Sequence, residues 1–232
     1  MRLAFIAAPL AAVALAACNQ QTAETPEPAP EEQATPIEAP SGEYTLDKTH
    51  ASLTLRANHF GLSNYTLRFT NLDGTLTFNA EDPTQSTLVA SARTDSVETD
   101  YVGDRDFDAE LQNSEWFDAA NHPEITFRST SIERTGPNTG RMTGDLTIRG
   151  QTHPAMFDIV YNRSYARHPL GPAISMIGFS AQGIVQRSQY GMNVLLPQGG
   201  GPGVADQVNV VIEAEFTRPV DTASDAAPPA NP

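Results

Sequence analysis

Apolar and polar residues alternate with a period of two along much of the chain. Leu53, Leu55 and Ala57 alternate with Thr54, Arg56 and Asn58, and Leu76 and Phe78 with Thr75 and Thr77. The same pattern returns at Ile125 and Phe127, at Met142, Gly144, Leu146 and Ile148, and at Val208, Val210 and Ile212. Side chains of a strand point alternately to its two faces, so each row predicts a strand with one buried side. The intervening threonines and β-branched residues suit that pleated surface. Asp73-Gly74, Gly136-Pro137-Asn138 and Gly150-Gln151 punctuate the rows, and Asp73-Gly74 predicts a two-residue hairpin turn. Residues 104–118 break the pattern: they lack β-branched residues and place Phe107, Leu111 and Trp116 near helical spacing. The expected fold is all-β, an antiparallel barrel of about eight strands with a short helical insert. A closed barrel of that size either holds one small ligand or is filled by its own side chains.

The ends of the chain do not follow this pattern. Arg2 precedes an uncharged apolar run from Leu3 to Ala17, which has the form of a secretory signal. The run is short of the ~20 residues that span a bilayer. It ends in Leu15-Ala16-Ala17-Cys18, which resembles the bacterial lipobox. That resemblance implies cleavage after residue 17 and lipidation of Cys18 with diacylglycerol and fatty acyl chains such as palmitate. Two or more acyl chains hold a protein stably at a membrane. Cys18 is the single cysteine in 232 residues, so no disulfide is available to the domain. Residues 18–43 are read as the lipidated cysteine followed by a disordered linker. From Asn19 to Glu43 this stretch holds five prolines and six glutamates and no aromatic or basic residue. Such a linker spans ~27 Å as a coil and ~75 Å when stiff and extended. Residues 44–218 form the expected domain and 219–232 a disordered tail. The expected location is the cell envelope, facing the periplasm. The outer membrane is favoured over the inner, because Asn19 rather than an aspartate follows the cysteine.

The domain's motifs, in order, are Tyr44-x-Leu46-Asp47-x-x-His50, His59-Phe60-Gly61, Phe69 with Asp73-Gly74, Arg105-Asp106, Trp116-Phe117-Asp118 and His122-Pro123-x-Ile125-x-Phe127. Gly144-Asp145-Leu146-Thr147-Ile148-Arg149-Gly150 and Arg187-Ser188-x-Tyr190-Gly191-Met192 complete the series. This ordered set resembles the YceI-like family of bacterial periplasmic proteins. The resemblance implies a lipocalin-like barrel that holds a polyisoprenoid or related long amphiphile. Members of that family can dimerise, although no surface in this sequence reads as an interface. The lipobox and acidic stalk depart from the freely diffusing members.

Binding an isoprenoid is mainly desolvation, about 0.8 kcal/mol per buried methylene. The candidate lining is Phe60, Phe69, Phe78, Phe107, Leu111, Trp116, Phe127, Met142, Phe157, Phe179 and Met192, with Met156 and Met176 as further adaptable side chains. The same residues would equally pack a self-filled core. Arg105 and Arg187 are headgroup candidates, since a guanidinium can hold two anionic oxygens. The alternative for each is a structural pairing. His50 and His59 are also candidates for the mouth. Nine apart, they fall on opposite faces of an unbroken strand and make a poor metal pair. The formal charge of −14 argues against nucleic acid and against steering an anionic ligand. No Gly-x-Ser-x-Gly nucleophile motif occurs. The expectation is a binding protein without catalysis, cofactor or metal. A quinone-like ligand held for a stress or redox partner, or a ligand-free interaction module, are the alternatives.

Overall fold

The computed structural model describes residues 33–220. Cys18, the signal, residues 19–32 of the linker and residues 221–232 lie outside them. Ten strands follow in order: β1 (Gly42–His59), β2 (Ser63–Phe69), β3 (Leu72–Phe78), β4 (Thr87–Arg93), β5 (Val97–Thr99), β6 (Glu124–Arg134), β7 (Thr139–Ile148), β8 (Gln151–Tyr165), β9 (Ile174–Gln186) and β10 (Val204–Pro219). Among the described residues one α-helix, α1 (Phe107–Leu111), lies between β5 and β6, and three short 3-10 turns stand at Pro83–Gln85, Thr94–Ser96 and Arg187–Tyr190.

All neighbouring strands pair antiparallel, and β10 pairs with β1 to close the sheet. β1 is long enough to serve two partners on its other side. Its first part pairs with β3 (Tyr44 opposite Leu76) and its second with β2 (Leu55 opposite Leu67). β2 and β3 therefore run in the same direction as two halves of one interrupted stave. β4 and β5 form another, β4 pairing with β3 and β5 with β2. With each of these counted once, eight staves close the barrel.

This arrangement corrects the expected hairpin at Asp73-Gly74. Both residues lie within β3, opposite Ser91 and Ala90 of β4. A Cβ on Gly74 would stand 3.4 Å from the Phe216 ring, an ordinary contact, so the strand position does not itself demand glycine. The turn at Gly136-Pro137-Asn138 joins β6 to β7 as expected. The β7–β8 turn sits one residue earlier than expected, on Arg149 (φ 51°) and Gly150 (φ 71°). Positive φ at both positions matches the right-handed twist of the flanking strands.

The helical insert is shorter than residues 104–118. Asp106 caps α1 by accepting from the Ala109 N–H at 3.0 Å. The helix stops after Leu111, where the Asn113 side chain accepts from the Glu115 N–H at 2.8 Å. That bond offers the backbone an alternative to another helical turn.

The segment read as the end of the linker is also ordered where it meets the barrel. Thr35 N–H donates to Asn138 Oδ1 at 2.6 Å, and Glu38 and Ala39 N–H donate to Ser164 Oγ at 2.8 and 3.0 Å. Tyr161 donates to the Pro36 carbonyl at 2.8 Å and Tyr44 to the Pro40 carbonyl at 2.7 Å. Residues 33–41 thus form a strap across the end of the barrel where β1 begins. At the other tail, β10 continues to Pro219, one residue past the expected boundary.

Candidate functional site

The inward rows do not fill the barrel. They surround a cavity of about 1000 Å³ that runs from the strap, at Ala34, Thr35 and Ile37, to the opposite rim, at Tyr101, Arg105 and Leu195. The period-two pattern determines which residues reach it. Leu53, Leu55, Ala57 and His59 of β1 line the cavity, as do Val208, Val210 and Ile212 of β10. Two glycines make room for the aromatic wall. A Cβ on Gly144 would meet Phe127 Cζ at 2.4 Å, and one on Gly183 would meet Phe157 Cδ1 at 2.6 Å. The two rings then pack edge-to-face with centroids 5.4 Å apart.

Ten of the eleven expected lining residues border this space: Phe69, Phe78, Phe107, Leu111, Trp116, Phe127, Met142, Phe157, Phe179 and Met192. Phe60 does not. It sits on the β1–β2 turn with φ 57°, exposed to solvent. Met156 lies on the outward row of β8 and is exposed, while Met176 borders a shallow depression on the outer wall. Phe117 and Phe216 line the cavity without having been singled out. Phe216 was within reach of the sequence pattern, because it shares parity with Val208, Val210 and Ile212. Tyr65 also lines the cavity, and its hydroxyl is buried with no hydrogen-bond partner in the protein.

The four headgroup candidates separate. Arg187 is a structural clamp: its guanidinium donates to the Ala205, Met192 and Val204 carbonyls at 3.0, 2.8 and 2.9 Å. Burial lowers its pKa, opposed by the Asp206 carboxylate. Its ring-facing side lies 5.9 Å from Trp116, so the motif that carries it ties the loop after β9 to β10. Arg105 borders the cavity at the rim, with its guanidinium over Phe107 at 4.4 Å and paired with Glu110 at 3.3 Å. His59 lines the cavity beside Tyr65.

His50 does not reach the lumen. A register shift between Leu46 and Ala51 of β1 leaves it outside, opposite His59 in facing. There His50, Asp47 and Glu215 bring their ligand atoms within 4.8 Å of one another. The Thr49 hydroxyl, and then His50, pull the Asp47 pKa down to about 2. Asp47 in turn raises that of His50.

A closed antiparallel barrel with an aromatic, largely apolar lumen defines a class of small-molecule binding proteins. The YceI-like domain model matches residues 44–216, and the chain belongs to that family. Protein YceI of Salmonella arizonae is 29% identical over 179 residues, covering 76% of this chain and 87% of that protein. The crystal structure of Campylobacter jejuni YceI superposes with a TM-score of 0.58 at 25% identity, covering 69% of this chain and 89% of that one. A polyisoprenoid binding domain from Saccharophagus degradans shares the fold, with a TM-score of 0.54 at 14% identity over 76% of this chain and 98% of that one.

Proposed function

We propose that this protein is an envelope lipoprotein that holds one long apolar molecule, a polyisoprenoid or similar amphiphile, for storage, shielding or transport. The observation that carries the reading is the apolar lumen of about 1000 Å³. At the ~30 Å³ that a water-sized group occupies in a liquid, such a space takes roughly 30 carbon-sized groups. Each methylene brought there from water contributes about 0.8 kcal/mol. Tyr65, Arg105 and His59 are polar groups at the rim, and Glu133, Arg134 and Asn138 border the space at the strap end, so a polar terminus finds partners at either mouth while the middle of the lumen stays apolar. The polyisoprenoid-binding neighbour supports the same ligand class. The role is binding without bond chemistry.

Organic extraction of the purified protein followed by mass spectrometry tests the ligand. A co-purified isoprenoid is expected, and uptake of added geranylgeraniol by protein stripped of lipid. Absence of both overturns the proposal, and a quinone absorbance in the extract shifts the reading to a redox accessory. For the anchor, the intact protein is expected in the membrane fraction, the outer membrane rather than the inner, and Cys18→Ser is expected to release it. A variant that still sediments with them refutes the lipoprotein assignment.

A further inference from the structure

The end of the barrel opposite the strap exposes large apolar side chains to water. Leu62 is 85% and Val102 99% exposed, and Phe60, Tyr101 and Leu195 are exposed beside them. These positions come from three separate segments, yet contacts link them into one arc. Phe60 N–H donates to the Gly203 carbonyl at 2.9 Å, and Val204 N–H donates to the Leu195 carbonyl at 2.8 Å. The Phe60 ring lies 4.5 Å from His59, His59 lies 6.4 Å from Tyr65, and Phe107 is 5.7 Å from both Tyr65 and Tyr101. The arc borders the lumen, because His59, Tyr65, Tyr101, Phe107 and Leu195 also line the cavity.

Two of the exposed residues are held in a conformation that bulky side chains disfavour, Phe60 at φ 57° and Leu195 at φ 55°. Such strain, at sites where apolar groups gain nothing from water, gathers at functional positions. We infer that this rim is a docking surface for a lipid bilayer, through which the lumen exchanges its occupant. The inference rests on the reading that the lumen takes a long apolar molecule, which is found dissolved in bilayers rather than in water.

Charge separates a bilayer from the other occupants. Asp100, Asp104, Asp106, Asp108 and Glu110 flank the rim; of the bases beside them, Arg105 is paired with Glu110 and Arg68 with Glu98, and Arg149 donates to the Gly191 and Ser114 carbonyls. Two such acidic rims would repel, so a second copy fits poorly. The same acids select a zwitterionic surface over an anionic one. Tyr101 suits the boundary between headgroups and acyl chains, where aromatic side chains with one wet end collect.

The test uses residues 18–232 with Cys18→Ser, so that neither signal nor anchor contributes. The compact unit from Gln33 onward is kept whole. Flotation with phosphatidylcholine vesicles is compared between this protein and the same protein carrying Leu62→Asp and Val102→Asp, both fully on the surface. The aspartates are expected to lower vesicle partition about tenfold or more, from the apolar burial they abolish. Uptake of detergent-dispersed geranylgeraniol is expected to stay within about twofold, since neither residue lines the lumen. Adding phosphatidylglycerol to the vesicles is expected to weaken partition. Equal partition of the two proteins overturns the docking surface. So does self-association that the aspartates abolish without any vesicle binding. Failure of the intact rim protein to take up geranylgeraniol overturns the lumen reading instead, and is read independently of flotation.

Discussion

The two ends of the barrel handle their exposed edges in opposite ways. At the strap end, polar groups meet one another: Tyr44, Ser164 and Ser175 are buried and hydrogen-bonded, and the strap's backbone amides find side-chain acceptors. At the rim end, a buried Arg187 collects three carbonyls, while apolar tips around it face water. The strap end satisfies its polar groups within the molecule, although Leu170 in the β8–β9 loop is 95% exposed there. The other keeps its loops in order with two guanidiniums, Arg187 and Arg149, the latter donating to the Gly191 and Ser114 carbonyls, and leaves apolar area uncovered. Contiguous exposed apolar surface of that kind marks a place where something else binds.

The largest expected effect breaks the rim end from within. Arg187→Met would take the donor from three carbonyls, that of Met192 buried and those of Val204 and Ala205 partly so, at about 1–3 kcal/mol for a buried group left unpaired, for a total loss of about 3 kcal/mol in urea unfolding. Arg187→Lys would recover only part of it, because an ammonium on a flexible stem cannot span the three acceptors in the guanidinium's planar geometry. If the lysine variant matches the parent, the clamp is not what organises this end.

At the strap end, Ser164→Ala leaves the Glu38 and Ala39 amides without their acceptor and the Tyr161 hydroxyl with the Pro36 carbonyl alone. A loss of about 2 kcal/mol is expected, together with faster proteolysis within residues 33–41 at unchanged proteolysis of the strands. Uniform proteolysis across the chain would show that the strap is not a separable element.

Tyr65→Phe returns to the rim and has the opposite sign. It removes a buried hydroxyl that no protein group satisfies, so thermal stability is expected to rise by up to ~1 kcal/mol. A drop instead would reveal a partner for that hydroxyl.

The smallest effect belongs to the outer wall. Asp47 is held at a pKa of about 2, below its usual 3.8, so its pairing stabilises the fold above pH ~4 and is lost as pH falls toward 2. His50 is raised above its usual 6.5, so its contribution is complete below that pH and lost as pH rises through the higher folded value. The pair is therefore at full strength between about pH 4 and 6.5. The difference in stability between the parent and His50→Ala is expected to be largest in that window and to shrink on either side. A flat difference from pH 3 to 8 would remove the pair from the stability balance.

Much of this was legible along the chain, because a barrel wall is a local pattern repeated. Leu53 to His59, Met142 to Ile148 and Val208 to Ile212 face the lumen as their alternation requires. His50 and His59 fall on opposite faces as their odd spacing requires. Legibility failed where partners are remote. Asp73-Gly74 has the composition of a turn, yet pairing with Ser91 and Ala90 of β4 holds it in a strand. Arg187 carries the side chain of an anion ligand and borders the lumen, yet three carbonyls brought by the next loop and β10 take three of its five N–H donors. Phe60 has the chemistry of a lining residue, yet the turn at the end of β1 carries it outside.

Sequence alone determined the family, the all-β class and the inward rows, since each follows from residue types at fixed local spacing. Whether those rows enclose a space or fill it depended on the summed volume of side chains from eight staves against the radius at which they close. No local window contains that quantity. The tertiary structure settles it in favour of a cavity, with Gly144 and Gly183 drawing Phe127 and Phe157 back against the wall. It also decides that the strap closes over one end and not the other, because both ends are assembled from segments far apart in the chain.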